Sequence, residues 1–162
     1  MYLQLNRRRQ GYDILKHSYF QAEVDQHFKL DPVWLEDELW TQIRLQPENL
    51  PTGNISIAPG FQLVQLWHLP LQPEKAQAAL TRLDDGKYQR YRLEYKSIER
   101  ILEIVFETRF PHIIVRWEEK FRRQASDPWQ VTKAERTHSV QLDYWKRHNV
   151  EDLPLRQKLG LK

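Results

Sequence analysis

Over residues 98–107 the side chains alternate with a period of two. Ile98, Arg100, Leu102, Ile104 and Phe106 fall on one face, and Glu99, Ile101, Glu103, Val105 and Glu107 on the other. The first face is apolar except for Arg100, and three glutamates share the second. A segment of this kind belongs in an antiparallel sheet with one face on a core and the other toward water. The pattern continues on both sides, and strands are expected at 55–58, 61–69, 75–83, 87–95, 98–107, 112–121 and 130–139. Asp84-Asp85-Gly86 reads as a hairpin turn, because glycine tolerates positive φ, and Phe110-Pro111 reads as a second break.

Ahead of this run, residues 2–5 and 12–28 read as strands separated by the polar turn 6–11. In the second, Ile14, Phe20, Ala22, Val24 and Phe28 form a core face, and His17, Tyr19, Gln21, Glu23, Asp25 and His27 an ionisable one. Asp31-Pro32 then opens a helix over 33–44, the aspartate as cap and the proline at the first helical position. Leu39 and Ile43, four apart, and Trp40 and Ile43, three apart, give it a helical apolar stripe. Glu36, Asp37 and Glu38 lie in its first turns, where the helix dipole favours negative charge, so they read as helix-stabilising acids. Two short helices are expected at 142–148 and 153–159, with Gly160 as a stop.

At 162 residues the chain suits a single β-rich domain spanning residues 1–162. Cysteine is absent, which excludes disulfides, thiolate metal sites and cysteine nucleophiles. Lys and Arg number 25 against 22 Asp and Glu, and acids interleave with bases almost everywhere. A nucleic-acid binder needs a contiguous basic face, and the short clusters Arg7-Arg8-Arg9 and Arg122-Arg123 read as solvated turns. No run approaches the roughly 20 apolar residues of a membrane span. Phosphate-binding glycine loops, G-x-S-x-G and H-E-x-x-H are all missing. No cofactor or metal is implied.

Three constellations carry candidate chemistry. On the face of strand 12–28, Glu23, Asp25 and His27 supply the histidine and carboxylates of acid–base or metal chemistry. Same-face neighbours are about 7 Å apart, so His17 and Glu23 would stand roughly 20 Å apart along one strand and could not share an ion. The alternative is a water-facing strand surface. Arg100, on an otherwise apolar face and expected near Arg116, needs a carboxylate or a ligand anion; Glu118 and Glu94 are the candidate partners. Trp117, Trp67, Tyr91, Tyr95 and Phe106, on neighbouring strands, would line an apolar pocket or fill a core.

With these residues in view, the chain resembles a family of uncharacterised envelope proteins, often lipoproteins, of Gram-negative bacteria. The carrying motifs are His17-Ser18-Tyr19-Phe20 with Glu23 and Asp25-Gln26, then Leu35-Glu36-Asp37-Glu38-Leu39-Trp40-Thr41 with Ile43-Arg44, Pro47 and Leu50-Pro51. Near the end stand Asp143-Tyr144-Trp145, Leu155-Arg156 and Leu159-Gly160-Leu161. Many members carry the label "septum formation inhibitor", which this chain does not fit, since it has no S-x-S-P-R-R element and its pattern is a β-meander. The resemblance implies a periplasmic or outer-membrane-associated location, and that the chain is the C-terminal portion of a longer protein or a shortened relative.

The expected fold is mainly β (α+β): an antiparallel curved sheet or partly open barrel with one inserted helix and short C-terminal helices. The expected function is non-enzymatic binding of an apolar or amphiphilic small molecule or a protein partner, with Arg100, Arg116, Trp117, Trp67, Tyr91 and Tyr95 as ligand-binding residues. The rival is a hydrolase using Glu23, Asp25 and His27. Apolar walls around Arg100 would favour binding; a cleft over the acid and histidine face would favour catalysis.

Overall fold

The computed structural model describes residues 2–18 and 24–161. Its main sheet grows outward from the alternating segment. Strand β8 (Arg100–Glu107) lies between β7 (Tyr88–Tyr95) and β9 (Ile114–Phe121), with β6 (Glu74–Leu83) and β10 (Gln130–Glu135) beyond them. Each of these neighbours pairs antiparallel. Strand β5 (Gly53–Ala58) extends the sheet beside β6, and a two-residue strand β4 (Trp34–Leu35) runs parallel to β5 at the edge. A separate meander holds β1 (Tyr2–Arg8), β2 (Gly11–His17) and β3 (Gln26–Leu30). The end strands β4 and β10 do not pair with each other, so the sheet is open and the barrel-like closure is not reached.

The two-residue period sorts the main sheet into faces as expected. Leu102, Ile104 and Phe106 on β8, Leu93, Tyr91 and Tyr95 on β7, and Ala76 and Ala78 on β6 are buried against Leu39 and Ile43 of α1 (Glu36–Leu45). The opposite face is a lattice of ion pairs, Arg92 with Glu94 and Glu103, and Glu118 with Lys120 and Lys133. A second, smaller core joins the meander to the sheet edge through Tyr12, Ile14, Leu30, Leu35 and Ala58. Gly11 is required there: its φ is +133°, and a Cβ would stand 2.2 Å from the Leu30 carbonyl oxygen.

Several expected elements differ. The strand expected at 12–28 is instead two strands, β2 and β3, folded back antiparallel with Leu15 opposite His27. Periodicity persists across the reversal, which is why one long strand and a hairpin look alike in sequence. Tyr19, Phe20, Gln21, Ala22 and Glu23 lie outside the described residues. The strand expected at 61–69 is helix α2 (Phe61–Leu66) with a closing turn from the Leu69 amide to the Val64 carbonyl. Phe61, Val64 and Trp67 are three apart, so the apolar run suits a helix equally well, and Leu63 and Val64 bury its inner side.

Helix α1 begins at Glu36 rather than at 33, with Leu35 at the cap position and no side-chain cap. The chain at Trp34–Leu35 pairs with Ile57–Ala58 instead and buries Leu35, which delays the helix past Asp31-Pro32. Glu99 and His112 have positive φ, 44° and 50°, so β8 starts at Arg100 and β9 at Ile114. The C-terminal helices are 3-10 segments, Tyr144–Lys146 and Val150–Leu159. The second opens on a reciprocal cap between Asn149 and Asp152 and stops at left-handed Gly160.

Candidate ligand cleft over the buried arginine

Two sequence positions decide where charge enters the core. Glu36 stands three residues before Leu39 and seven before Ile43, so it heads the buried stripe of α1 and points inward with them. Arg100 opens β8 on the same face as Leu102 and Ile104. Among the described residues these two are the buried charged ones, each with a side chain 5 % exposed.

They meet as a forked pair. Arg100 Nη1 donates to Glu36 Oε2 at 2.5 Å and Nη2 to Oε1 at 2.7 Å. Arg100 Nε donates to Glu119 Oε1 at 2.5 Å, and the Tyr95 hydroxyl donates to Glu36 Oε2 at 2.8 Å. The guanidinium carbon also lies 5.6 Å from the centre of the Tyr95 ring. Burial alone would lower the arginine pKa, but the bonds and charges of Glu36 and Glu119 outweigh it and the net shift is upward. Burial, and then the Glu36 charge, pushes the hydroxyls of both Tyr91 and Tyr95 up. These shifts keep the arginine cationic and the tyrosines neutral donors.

Above this pair opens a cleft of about 400 Å³. The strand side supplies Arg100, Leu102, Trp117, Glu119, Phe121 and Thr132; the helix side supplies Glu36, Asp37, Trp40, Leu63, Leu66 and Trp67, with Gly60 between. Trp40 stands edge-on to Trp117 at 6.2 Å, and Trp67 edge-on to Phe121 at 5.0 Å. The aromatic walls thus come in two T-shaped pairs, one at each end. Asp37, at the exposed mouth, accepts the Phe61 amide at 3.0 Å and ties the start of α2 to α1. Partial desolvation raises its pKa, partly offset by that hydrogen bond. At Gly60 a Cβ would lie 2.7 Å from Glu36 Oε1, so the backbone passes directly over the carboxylate.

The partners expected for Arg100 were Glu118 and Glu94, and neither serves. Glu118 faces the opposite side of β9 and binds Lys120 and Lys133, while Glu94 binds Arg92. Glu119 has the same parity as Trp117 and Phe121, which is the signal that identifies it. Arg116 is not beside Arg100: it pairs across from Val105, five residues along β8, and is exposed on the outer face. Trp117 and Trp67 line the cleft. Tyr95 reaches it through Glu36 and the Arg100 guanidinium, and Tyr91 is core, its hydroxyl on the Pro51 carbonyl at 2.8 Å. Phe106 is likewise core.

The acid and histidine face separates into two pairs. His17 Nδ1 lies 2.8 Å from Asp25 and His27 Nε2 lies 2.6 Å from Asp13, and both histidine side chains are at least half exposed. These hydrogen bonds, the largest influence on each acid, lower the pKa of Asp25 and Asp13. Glu23 lies outside the described residues. A cleft of about 520 Å³ is lined by Asp25 and His27 together with Lys16, Gln26 and the apolar Leu3, Phe28, Val64, Leu69, Pro70 and Leu71. Phe28 shares the meander face of Ile14, whereas His27 pairs with Leu15 on the other. No group of three or more His, Asp or Glu among the described residues is placed to hold a metal ion, and no described helix is long and apolar enough to cross a membrane.

The fold and the cleft define the chain as an open, mainly antiparallel β domain whose one helix-covered face carries an ion-paired pocket. The chain matches no protein-family model, no curated protein and no solved structure.

Proposed function

We propose that the protein is a non-enzymatic binding module that receives an amphiphilic small molecule in the cleft between α1, α2 and the β8–β10 end of the sheet. One observation carries this reading: the buried charged residues among those described, Glu36 and Arg100, both lie at the floor of a cleft walled by Trp40, Trp67, Trp117 and Phe121. Binding pockets combine apolar and aromatic walls with a few fixed polar groups in this way. A larger depression, of about 920 Å³ along β5 and β6, has no buried charge among its described lining residues. The family resemblance supports placing this activity in the bacterial envelope. The hydrolase reading draws less support, because the two histidines of that face are spent on separate aspartates, His17 on Asp25 and His27 on Asp13.

Three of the six tryptophans line the cleft, so occupancy is visible in intrinsic fluorescence. Native mass spectrometry of the freshly purified protein should retain a bound small molecule. Titration with chain-bearing amphiphiles should shift tryptophan emission saturably, and Trp117→Leu should weaken the response. A featureless titration with every probe, together with an empty protein in the mass spectrum, would remove the binding reading.

A further inference from the structure

We infer that the ligand of this cleft is cationic at its polar end: an organic ammonium with an apolar or aromatic body. The inference rests on the binding reading and adds the sign of the head group.

The Arg123 guanidinium lies beside the Trp67 ring, and the lining itself carries three carboxylates, Glu36, Asp37 and Glu119, against one guanidinium, that of Arg100. The Arg100 guanidinium is already committed, through Nη1 and Nη2 to Glu36 and through Nε to Glu119. An anionic head group entering the cleft would meet a neutralised arginine and two further acids. A cation would meet Glu119, whose side chain is 22 % exposed at the floor, and Asp37 at the mouth.

The walls point the same way. Indole faces attract cations through their quadrupole, and the best-known use of that attraction is recognition of ammonium groups by aromatic cages. Trp40, Trp67 and Trp117 bring three indoles to one cleft. Trp67 already accepts such a contact from the protein itself, since the guanidinium carbon of Arg123 lies 5.5 Å from its ring centre. The acids lie toward α1 and β9 while Leu63 and Leu66 lie along α2, so head and tail have separate places. Among the described residues no three acids or histidines are set for a metal ion, so the excess negative charge suits a bulky organic cation rather than a bare divalent one.

The test compares three probes of one chain length, each below its micellar concentration: decyltrimethylammonium, decanoate and a neutral decyl glycoside. Tryptophan emission and calorimetry read binding to the wild-type protein and to Glu119→Gln, Asp37→Asn and Arg116→Gln. The ammonium should bind about tenfold or more tightly than decanoate, the order expected from a desolvated cation on aromatic faces beside a carboxylate. Glu119→Gln and Asp37→Asn should each reduce that preference several-fold, and Arg116→Gln, on the opposite face, should leave it intact. Saturable binding of all three probes with equal affinity, or a preference for decanoate, overturns the cation inference while leaving the binding module standing. Binding of none of them overturns both. Should Glu119→Gln unfold, Asp37→Asn alone decides, since its side chain lies at the exposed mouth.

Discussion

Arg100→Met is the most informative single perturbation of this protein, because it separates a buried charge from its volume. Methionine approximates the arginine stem but offers no donor. In the native fold Glu36 accepts two guanidinium bonds and the Tyr95 hydroxyl bond at a side-chain exposure of 5 %. Removing Arg100 leaves that carboxylate buried with one hydroxyl donor, and breaking a buried pair from one side costs about 3 to 5 kcal/mol. Glu119 adds little to this, since its partly exposed carboxylate turns to water. Glu36→Met strands the arginine instead, although Glu119 remains as its partner, so its cost falls at the lower end of the same range. In the double variant no unpaired charge remains between α1 and β8, and the residual cost is the Tyr95 hydroxyl without its acceptor, about 1 to 3 kcal/mol. The coupling between the two sites is therefore about 3 kcal/mol or more. Urea unfolding of the four proteins, compared at constant slope, measures it. If the two single costs simply add in the double variant, the pair is not the closed unit described.

Three further outcomes can be measured alongside. Leu39→Ala, fully buried on the α1 stripe, should cost about 2 to 5 kcal/mol, whereas Trp40→Ala, only partly buried against Trp117, should cost less than a fully enclosed tryptophan would; equal midpoints for the two variants and the wild type would mean that α1 is not seated on the sheet. Asp37 has a raised pKa in the fold, so the folded state holds its proton to higher pH than the unfolded chain and loses stability as pH rises through that window. Asp37→Asn, which still offers an oxygen to the Phe61 amide, should therefore raise the urea midpoint at pH 7 and show a shrinking gain toward pH 4; a gain independent of pH would rule out the titration as its source. Gly60 has an ordinary backbone conformation for any residue, so the Gly60→Ala defect should be purely steric, about 1 to 3 kcal/mol by overpacking against Glu36, and should largely vanish when combined with Glu36→Ala.

The main sheet was legible because burial on one face writes a two-residue period into the sequence, and β6 through β9 follow it closely. Arg100 stood out for the same reason, as a charge at an apolar parity. Its partners did not, because dipole reasoning explained Glu36 from its neighbours along the helix and left out its alignment with Leu39 and Ile43. Glu119 was hidden beside Glu118, one residue away and facing solvent, and parity alone tells them apart. The reversal within 12–28 was not legible, since a hairpin preserves which residues share a face. The helix at 61–66 is not legible because a short apolar run fits both periods, and three-dimensional packing of Leu63 and Val64 decides between them.

Consecutive residues of this chain serve different interiors. Leu35 closes the core of the meander, while Glu36 holds the arginine beneath the cleft; the Ala58 methyl belongs to the first interior, while Gly60, two residues on, covers the second. The meander consequently has no hinge of its own against the rest. Prising it from the sheet edge would pull on the backbone next to Glu36 and Gly60, so the two interiors should melt in one cooperative step. Hydrogen exchange is the place to see this: the slowest amides of β2 and of β8 should share one opening free energy, and Arg100→Met should lower both by the same amount although Arg100 touches only one of them.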